Sequence, residues 1–221
     1  IVDVSATYES CEKVLTLAGK YPHVYAAIGV HPDEVGELNE DKIQHMKELC
    51  CNKKVVAVGE IGLDYYWDNE PHEVQQKWFI RQLELAGEVK KPVIIHSREA
   101  AADTMYIMKN YAQGLGGVIH CYSYSREMAE EYVKMGFYIG IGGVVTFKNA
   151  KKLKDVAAAI PIEKIVLETD CPYMAPEPYR GKRNQSSYIR YVAEKIAELK
   201  EMSQEEVIAV TEKNARDLYG I

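Results

Sequence analysis

The sequence lacks several patterns that mark common functional classes. No stretch approaches the roughly 20 consecutive apolar residues of a membrane helix, and no positively charged start precedes an apolar segment. Neither a GxGxxG loop nor a GxxxxGKS/T loop follows an apolar run, so nothing supports a dinucleotide site or a P-loop. We therefore expect no membrane span, no secretory signal and no nucleotide bound through those loops.

Cysteine is scarce, and its spacing is irregular. The five cysteines are odd in number, and no two of them form a CxxC pair. This usage is typical of reduced thiols in a cytosolic protein and does not suit a disulfide framework. The sequence therefore predicts a cytoplasmic location, and it assigns no site to the neighbouring Cys50 and Cys51.

Positive charge is also in deficit. The chain carries 27 lysines and arginines against 33 aspartates and glutamates, a formal net charge of −6. That balance argues against a protein that coats nucleic acid, although metal ions or a local basic patch can still attract a phosphate-bearing substrate. With 221 residues and 47% hydrophobic content, we expect one domain over residues 1–221, in a monomeric protein.

Short apolar runs alternate with amphipathic segments along the chain. This alternation predicts parallel βαβ units, and their even spacing favours an α/β fold of the TIM (β/α)₈ barrel type. The predicted strands are 1–4, 24–30, 55–59, 93–96, 117–121, 137–143 and 164–170, and the predicted helices are 10–20, 41–50, 74–89, 100–111, 125–135, 150–159, 187–200 and 203–219. A barrel needs an eighth strand, so we expect the first βα unit to be absent from this sequence.

Polar side chains follow the predicted strands at their C-terminal ends. They are His31, Glu60, His96, His120 and Asp170. In a barrel these ends meet at one rim, where active sites are built. Imidazole and carboxylate ligands without sulfur suit Mg²⁺, Mn²⁺ or Zn²⁺. The sequence therefore predicts one or two divalent metal ions, held by Glu60, His96, His120 and Asp170.

Each of these residues also has a purely structural interpretation when taken alone. Glu60 could pair with a buried arginine or lysine, and His96 could be a hydrogen-bonded core histidine. Glu168 lies two residues before Asp170 on a predicted strand, so both are expected on the same face. There Glu168 could orient a metal ligand, hold a substrate group or form a salt bridge. The recurrence of such residues at five strand ends favours the metal interpretation.

Six motifs in order closely resemble the TatD family of metal-dependent deoxyribonucleases, in the amidohydrolase superfamily. They are GVHPDE (29–34), VGEIGLDYY (58–66), KPVIIHSREA (91–100), GVIHCYS (117–123), VLETDCPYMAP (166–176) and RGKRN (180–184). The resemblance covers essentially the whole chain. It implies a TIM barrel with one or two divalent metals at its C-terminal rim, and a 3′–5′ exonuclease acting on single-stranded DNA or frayed ends.

The resemblance also implies a role for each site residue. Glu60 corresponds to a carboxylate shared between two metals, and His96 and His120 correspond to ligands of one metal. Asp170 corresponds to the ligand that also handles the nucleophilic water. The predicted catalytic residues are thus Asp170, Glu60 and His120, and Asp64 is expected to orient a histidine or water from behind the ligands. The predicted substrate-binding residues are His31, Glu168, Arg183 and Asn184.

Aromatic residues next to these motifs are candidates for contact with an unpaired base. They are Tyr65, Tyr66, Trp67 and Tyr173. Bases stack on aromatic faces, so these side chains could hold a single strand. They could equally pack their own loops.

The sequence departs from the family pattern in two places. The family's first strand ends in a His-x-His pair that binds the other metal, and this pair is absent here. Tyr124 stands where the family often has glycine, which could narrow the site. Two other hypotheses stay open. Many amidohydrolases share this barrel and its metals, so the chain could hydrolyse a different ester or amide. The missing His-x-His pair leaves open an inactive, truncated relative that serves as a binding scaffold.

Overall fold

Parallel strands alternate with helices throughout the computed structural model of this protein. The structure describes residues 1–67 and 69–221, which form two units. The first unit comprises Ile1–Gly117 with Tyr219–Ile221, and the second comprises Val118–Leu218. Each predicted strand and helix is present, with ends that shift by a few residues.

The first unit carries four parallel strands that pair in chain order. The fully buried Ala27, Ile28, Val58 and Ile95 belong to its core. The strands are β1 (Val2–Val4), β2 (Tyr25–Ile28), β3 (Val55–Asp64) and β4 (Val93–Arg98), and the helices are α1 (Tyr8–Lys20), α2 (Glu40–Leu49), α3 (His72–Val89) and α4 (Ala101–Tyr111).

Strand β3 is five residues longer than predicted, which places Glu60 inside the strand and not at its end. The apolar run that predicts this strand ends at Gly59, directly before Glu60. Here Gly62, opposite His96 in β4, adopts φ 147°, and a Cβ on it would lie 1.9 Å from the His96 carbonyl oxygen. Only glycine lets the two strands stay paired up to Asp64.

The second unit carries three parallel strands and four α-helices, apart from the first residue of β5 and the last residue of α8, which belong to the first unit. The strands are β5 (Gly117–Ile119), β6 (Tyr138–Ile141) and β7 (Ile165–Leu167), and the helices are α5 (Arg126–Lys134), α6 (Lys151–Ala159), α7 (Ile189–Lys200) and α8 (Gln204–Tyr219). The strands β5 and β7 are shorter than predicted. His120, Glu168 and Asp170 therefore lie in the loops after the strands, and strand alternation does not decide where their side chains point.

Helix starts follow local capping chemistry. Thr7 and Ser10 form a capping box at α1, and Ser125 accepts the Met128 N–H at α5. A second capping box lies at the start of α8, where the Ser203 hydroxyl accepts the Glu206 N–H and the Glu206 carboxylate accepts the Ser203 N–H. Within residues 1–67 and 69–221, no helix is long and apolar enough to cross a membrane. All five cysteines are free thiols.

Candidate metal centre

In the first unit, the imidazole of His96 lies between two carboxylates of the neighbouring strand. Its Nδ1 is 2.8 Å from Glu60 Oε1, and its Nε2 is 2.9 Å from Asp64 Oδ2. Glu60 and Asp64 both lie on β3, four residues apart, and Gly62 between them lies opposite His96. The lengthened strand thus brings both carboxylates to one histidine.

Asp64 is the more firmly held of these two carboxylates. Its side chain is 2% exposed, and its Oδ1 accepts hydrogen bonds from the Tyr66 N–H at 2.9 Å and the Trp67 N–H at 3.4 Å. Burial raises the pKa of Asp64, but the bonds from His96 and the backbone outweigh it, so the net pKa lies below its usual range. Asp64 therefore stays ionised and fixes the orientation of His96.

His31 packs against this group through its ring. The ring centroids of His31 and His96 lie 4.3 Å apart, in an edge-on arrangement. His31 Nδ1 accepts the Asp33 N–H at 3.3 Å, which leaves the proton of a neutral imidazole on Nε2. Burial, and then the charge of Asp64, raise the pKa of the Asp33 carboxyl to about 6. One donor atom each of His31, Asp64 and His96 lies within 4.8 Å of the others.

In the second unit, the imidazole of His120 also lies between two carboxylates. Its Nδ1 is 2.8 Å from Glu168 Oε2, and its Nε2 is 3.5 Å from Asp170 Oδ1. Glu168 also accepts the Cys121 N–H at 2.6 Å. It packs against Gly140, where a Cβ would lie 2.6 Å from its Oε2. Glu168 is thus fixed on both oxygens, whereas Asp170 approaches His120 more loosely.

The loop that carries Asp170 is held from behind by Asn184. Asp170 adopts a left-handed backbone with φ 54°, a conformation that aspartate tolerates better than most residues. The Asn184 amide donates to the carbonyl oxygens of Thr169 and Tyr173, at 2.7 Å each, and Asn184 is 3% exposed. These contacts give Asn184 a positioning role, so its contact with substrate stays a prediction. Arg183 beside it is exposed.

Two residues near these groups were missed by the sequence reading. Cys121 joins His120 and Asp170 in a group whose donor atoms lie within 4.8 Å of one another. Asp33 lies two residues after His31, and its Oδ1 is buried with no hydrogen-bond partner among the described residues. Each lies within two residues of a motif histidine, which was the available signal.

The donor atoms of both groups suit a divalent cation. A histidine that binds a metal usually donates its other ring N–H to a carboxylate, which sets its tautomer. Asp64 takes that place at His96 Nε2, so Nδ1 is the nitrogen on the Glu60 side. Glu168 takes it at His120 Nδ1, so Nε2 is the nitrogen on the Asp170 side. Each unit therefore presents one ring nitrogen and one carboxylate oxygen as donor atoms for a metal: His96 Nδ1 with Glu60, and His120 Nε2 with Asp170.

The chain is similar to known metal-dependent hydrolases over its whole length. The sequence profile of the TatD related DNase family matches residues 1–220. The metal-dependent hydrolase YabD of Bacillus subtilis (strain 168) is 46% identical over 222 residues, covering 100% of this chain and 87% of YabD. The metal-dependent hydrolase YcfH of Escherichia coli (strain K12) is 41% identical over 206 residues, covering 93% of this chain and 77% of YcfH.

A solved structure shows the same fold. The crystal structure of YjjV, a TatD homologue from Escherichia coli K12, superposes with a TM-score of 0.93 at 32% identity. The match covers 100% of this chain and 86% of YjjV. The fold class is α/β of the TIM-barrel type, as the sequence predicts.

Proposed function

Because this chain belongs to the TatD-related DNase family and is a metal-dependent hydrolase, we propose that it hydrolyses the phosphodiester bonds of DNA with one or two divalent metal ions. One observation carries the proposal: each of two imidazoles has one nitrogen against a firmly held carboxylate and the other directed at a second carboxylate. This pattern supports a metal site in each unit, because the firmly held carboxylate sets the tautomer of the metal-binding histidine.

In the first unit, His96 and Glu60 would hold a metal, and Asp64 keeps the His96 proton on Nε2. His31 Nδ1 accepts the Asp33 N–H at 3.3 Å, and a neutral imidazole in this arrangement would carry its proton on Nε2. An imidazole N–H of this kind donates a hydrogen bond to an anionic phosphate oxygen. We therefore assign His31 to the substrate phosphate.

In the second unit, His120 and Asp170 would hold a metal, and Glu168 keeps the His120 proton on Nδ1. A divalent cation bound by such ligands neutralises charge on a phosphodiester and lowers the pKa of water towards neutrality. Glu168 contacts His120 and the Cys121 N–H, so its proposed role is to orient His120.

Asp170 is the proposed proton acceptor. It is the least constrained of the four carboxylates, at 3.5 Å from His120 with a side chain that is 31% exposed. Asp170 accepts a proton from the attacking water while the water oxygen bonds to phosphorus. The bond from phosphorus to the 3′ oxygen breaks, and Asp170 returns the proton to that oxygen. We assign His120 as a ligand, because its Nδ1 is held by Glu168 at 2.8 Å and its Nε2 faces Asp170 at 3.5 Å.

We further propose that the substrate is single-stranded DNA or a frayed end, shortened from its 3′ end. The exposed Arg183, which follows the Asp170 loop, is assigned to a backbone phosphate. The protein is proposed to act as a monomer in the cytoplasm.

A substrate panel tests the proposed function. The protein is stripped of metal, supplied with Mg²⁺, Mn²⁺ or Zn²⁺, and incubated with a 5′-labelled single-stranded DNA, an RNA of the same sequence, an aryl ester and an aryl amide. We expect metal-dependent shortening of the DNA from its 3′ end, and loss of that activity in Glu60→Ala. Circular dichroism checks that the variant is folded.

Three results would contradict the proposal. Hydrolysis of the ester or amide with intact DNA would identify a different hydrolase on this scaffold. Full DNA cleavage in EDTA would remove the metal from the mechanism. Full activity of a folded Glu60→Ala variant would remove Glu60 from the site.

A further inference from the structure

An arginine and two aromatic residues form an exposed group at the C-terminal ends of β3 and β4. The guanidinium carbon of Arg98 lies 3.8 Å from the centroid of the Tyr66 ring and 5.7 Å from that of the Trp67 ring. The two rings meet edge-on, with centroids 4.8 Å apart. Tyr66 is 54% exposed and Trp67 is 50% exposed. We call Tyr66, Trp67 and Arg98 the aromatic–arginine group.

The aromatic–arginine group lies at the ends of the two strands that carry Glu60, Asp64 and His96. Arg98 lies two residues after His96 on β4, so both side chains leave the same face of the strand. In the pairing of β3 with β4, Arg98 lies opposite Asp64. The Asp64 carboxylate contacts His96 through Oδ2 and accepts the Tyr66 and Trp67 N–H groups through Oδ1. One buried side chain therefore orients both the histidine and the aromatic loop.

The charge of Arg98 is not used in an ion pair with another described residue. By contrast, Arg81 on α3 pairs with Glu40, Glu84 and Glu88. Stacking engages the flat face of a guanidinium, and its N–H donors lie in the plane, directed outwards. Such a guanidinium suits a phosphate, which accepts two parallel hydrogen bonds at its edge.

The aromatic faces supply the other half of a nucleotide site. Any of the four DNA bases stacks on an exposed aromatic ring, because every base has a flat π-face. Half of each ring here is exposed, beside a cation placed to hold the adjoining phosphate.

We propose that the aromatic–arginine group is a nucleotide subsite for single-stranded DNA. Arg98 binds a backbone phosphate through its guanidinium edge, and Trp67 stacks on the adjoining base. The Tyr66 ring packs against the flat face of the guanidinium and holds it in place. This subsite deepens the proposed function and rests on it for the choice of DNA as ligand. It predicts that the protein holds a strand by base and phosphate together, without reading the sequence.

Binding measured without turnover tests the subsite. The protein is kept in EDTA, which prevents cleavage, and is titrated with a labelled strand of eight thymidylates. Fluorescence anisotropy gives the Kd, and tryptophan emission reports stacking on Trp67, because Trp78, the other tryptophan, is buried. We expect quenching on binding, and a Kd raised about tenfold or more in Arg98→Ala, as for loss of a charge-assisted hydrogen bond.

Matched controls separate the parts of the subsite. Arg216→Ala removes an exposed arginine that pairs with Glu212, and we expect its Kd to stay within about twofold of the unaltered protein. Trp67→Phe keeps a ring, so it should bind with little quenching. An abasic strand of the same length carries the phosphates alone, and we expect it to bind at least about tenfold more weakly, as for loss of stacking.

The proposal is overturned if Arg98→Ala binds the thymidylate strand as tightly as the unaltered protein. It is also overturned if binding leaves tryptophan emission unchanged, or if the abasic strand binds equally well. These outcomes are independent of the proposed function. Tight binding with quenched tryptophan emission but no metal-dependent cleavage would contradict the DNase activity and support the subsite. Metal-dependent cleavage with an unchanged Kd in Arg98→Ala would support the DNase activity and contradict the subsite.

Discussion

The surroundings of His96 and His120 show two ways of placing an imidazole between carboxylates. His96 is bracketed by Glu60 and Asp64, both within one long strand, at 2.8 and 2.9 Å. His120 is bracketed by two loop residues that follow β7, with Glu168 at 2.8 Å and Asp170 at 3.5 Å. The first arrangement is set by strand pairing, and the second by a loop.

This difference indicates which carboxylate is available for chemistry. Three of the four approach an imidazole at hydrogen-bond distance, and Glu168 and Asp64 also accept backbone N–H groups. Asp170 has the longest contact, in a loop held by Asn184 rather than by a strand ladder. The closely bound carboxylates contact their histidines at 2.8 to 2.9 Å, and the looser contact of Asp170 is the reason why we propose it as the group that exchanges a proton.

Among the substitutions that test this comparison of His96 and His120, we expect the largest loss of activity at Asp170. Asp170→Asn keeps the shape but cannot accept the proton, so kcat should fall by about 100-fold to 10,000-fold, the usual range for a lost general base. Since the side chain is 31% exposed, the free energy of unfolding should change by less than about 1 kcal/mol. Steady-state kinetics with saturating metal, beside urea denaturation, measures both. Unchanged kcat would show that another group takes the proton.

The contrast between strand and loop predicts different responses to an added methyl group. Gly62→Ala places a Cβ 1.9 Å from the backbone oxygen of His96 at φ 147°, and it should cost about 3 kcal/mol or more. Gly140→Ala meets the movable carboxylate of Glu168 at 2.6 Å, and it should cost about 1 kcal/mol while weakening metal binding. Urea denaturation and calorimetric metal titration separate these effects.

A control for the glycine substitutions lies on α3. A Cβ on Gly87 meets nothing within 4 Å, so Gly87→Ala should stabilise the protein by roughly 0.5 to 1 kcal/mol through helix propensity. Equal losses at Gly62 and Gly140 would contradict the distinction between a fixed backbone and a movable side chain.

The smallest difference is expected between Asp64 and Glu168, the two carboxylates that orient the histidines. An amide in Asp64→Asn or Glu168→Gln can turn a donor towards the histidine and move its proton to the metal-binding nitrogen. Metal affinity should fall by about 10-fold to 100-fold in each variant. Asp64→Asn should also destabilise the fold more, because Asp64 is more deeply buried and holds the Tyr66–Trp67 turn. An unchanged metal affinity in both variants would remove the orienting role.

Much of the candidate site was predictable because its residues follow apolar runs. Such runs mark strands, and His31, His96 and His120 stand directly after or at the end of them. The extent of each strand was less predictable. The apolar run of β3 stops near Gly59, yet pairing with β4 continues to Asp64, whereas β7 ends at Leu167 despite the predicted continuation to Asp170. Pairing depends on the neighbouring strand, which local composition does not contain.

The sequence by itself determined the α/β class, the family, and His96, His120, Glu60 and Asp170 as candidate ligands, because short-range patterns and motifs carry that information. Only the tertiary structure decided which carboxylate meets which ring nitrogen, that Asp64 and Glu168 orient the histidines, and that Arg98 stacks on Tyr66. Those contacts join residues that are 32, 48 and 32 positions apart in the chain, so the path of the backbone brings them together and no local pattern records it.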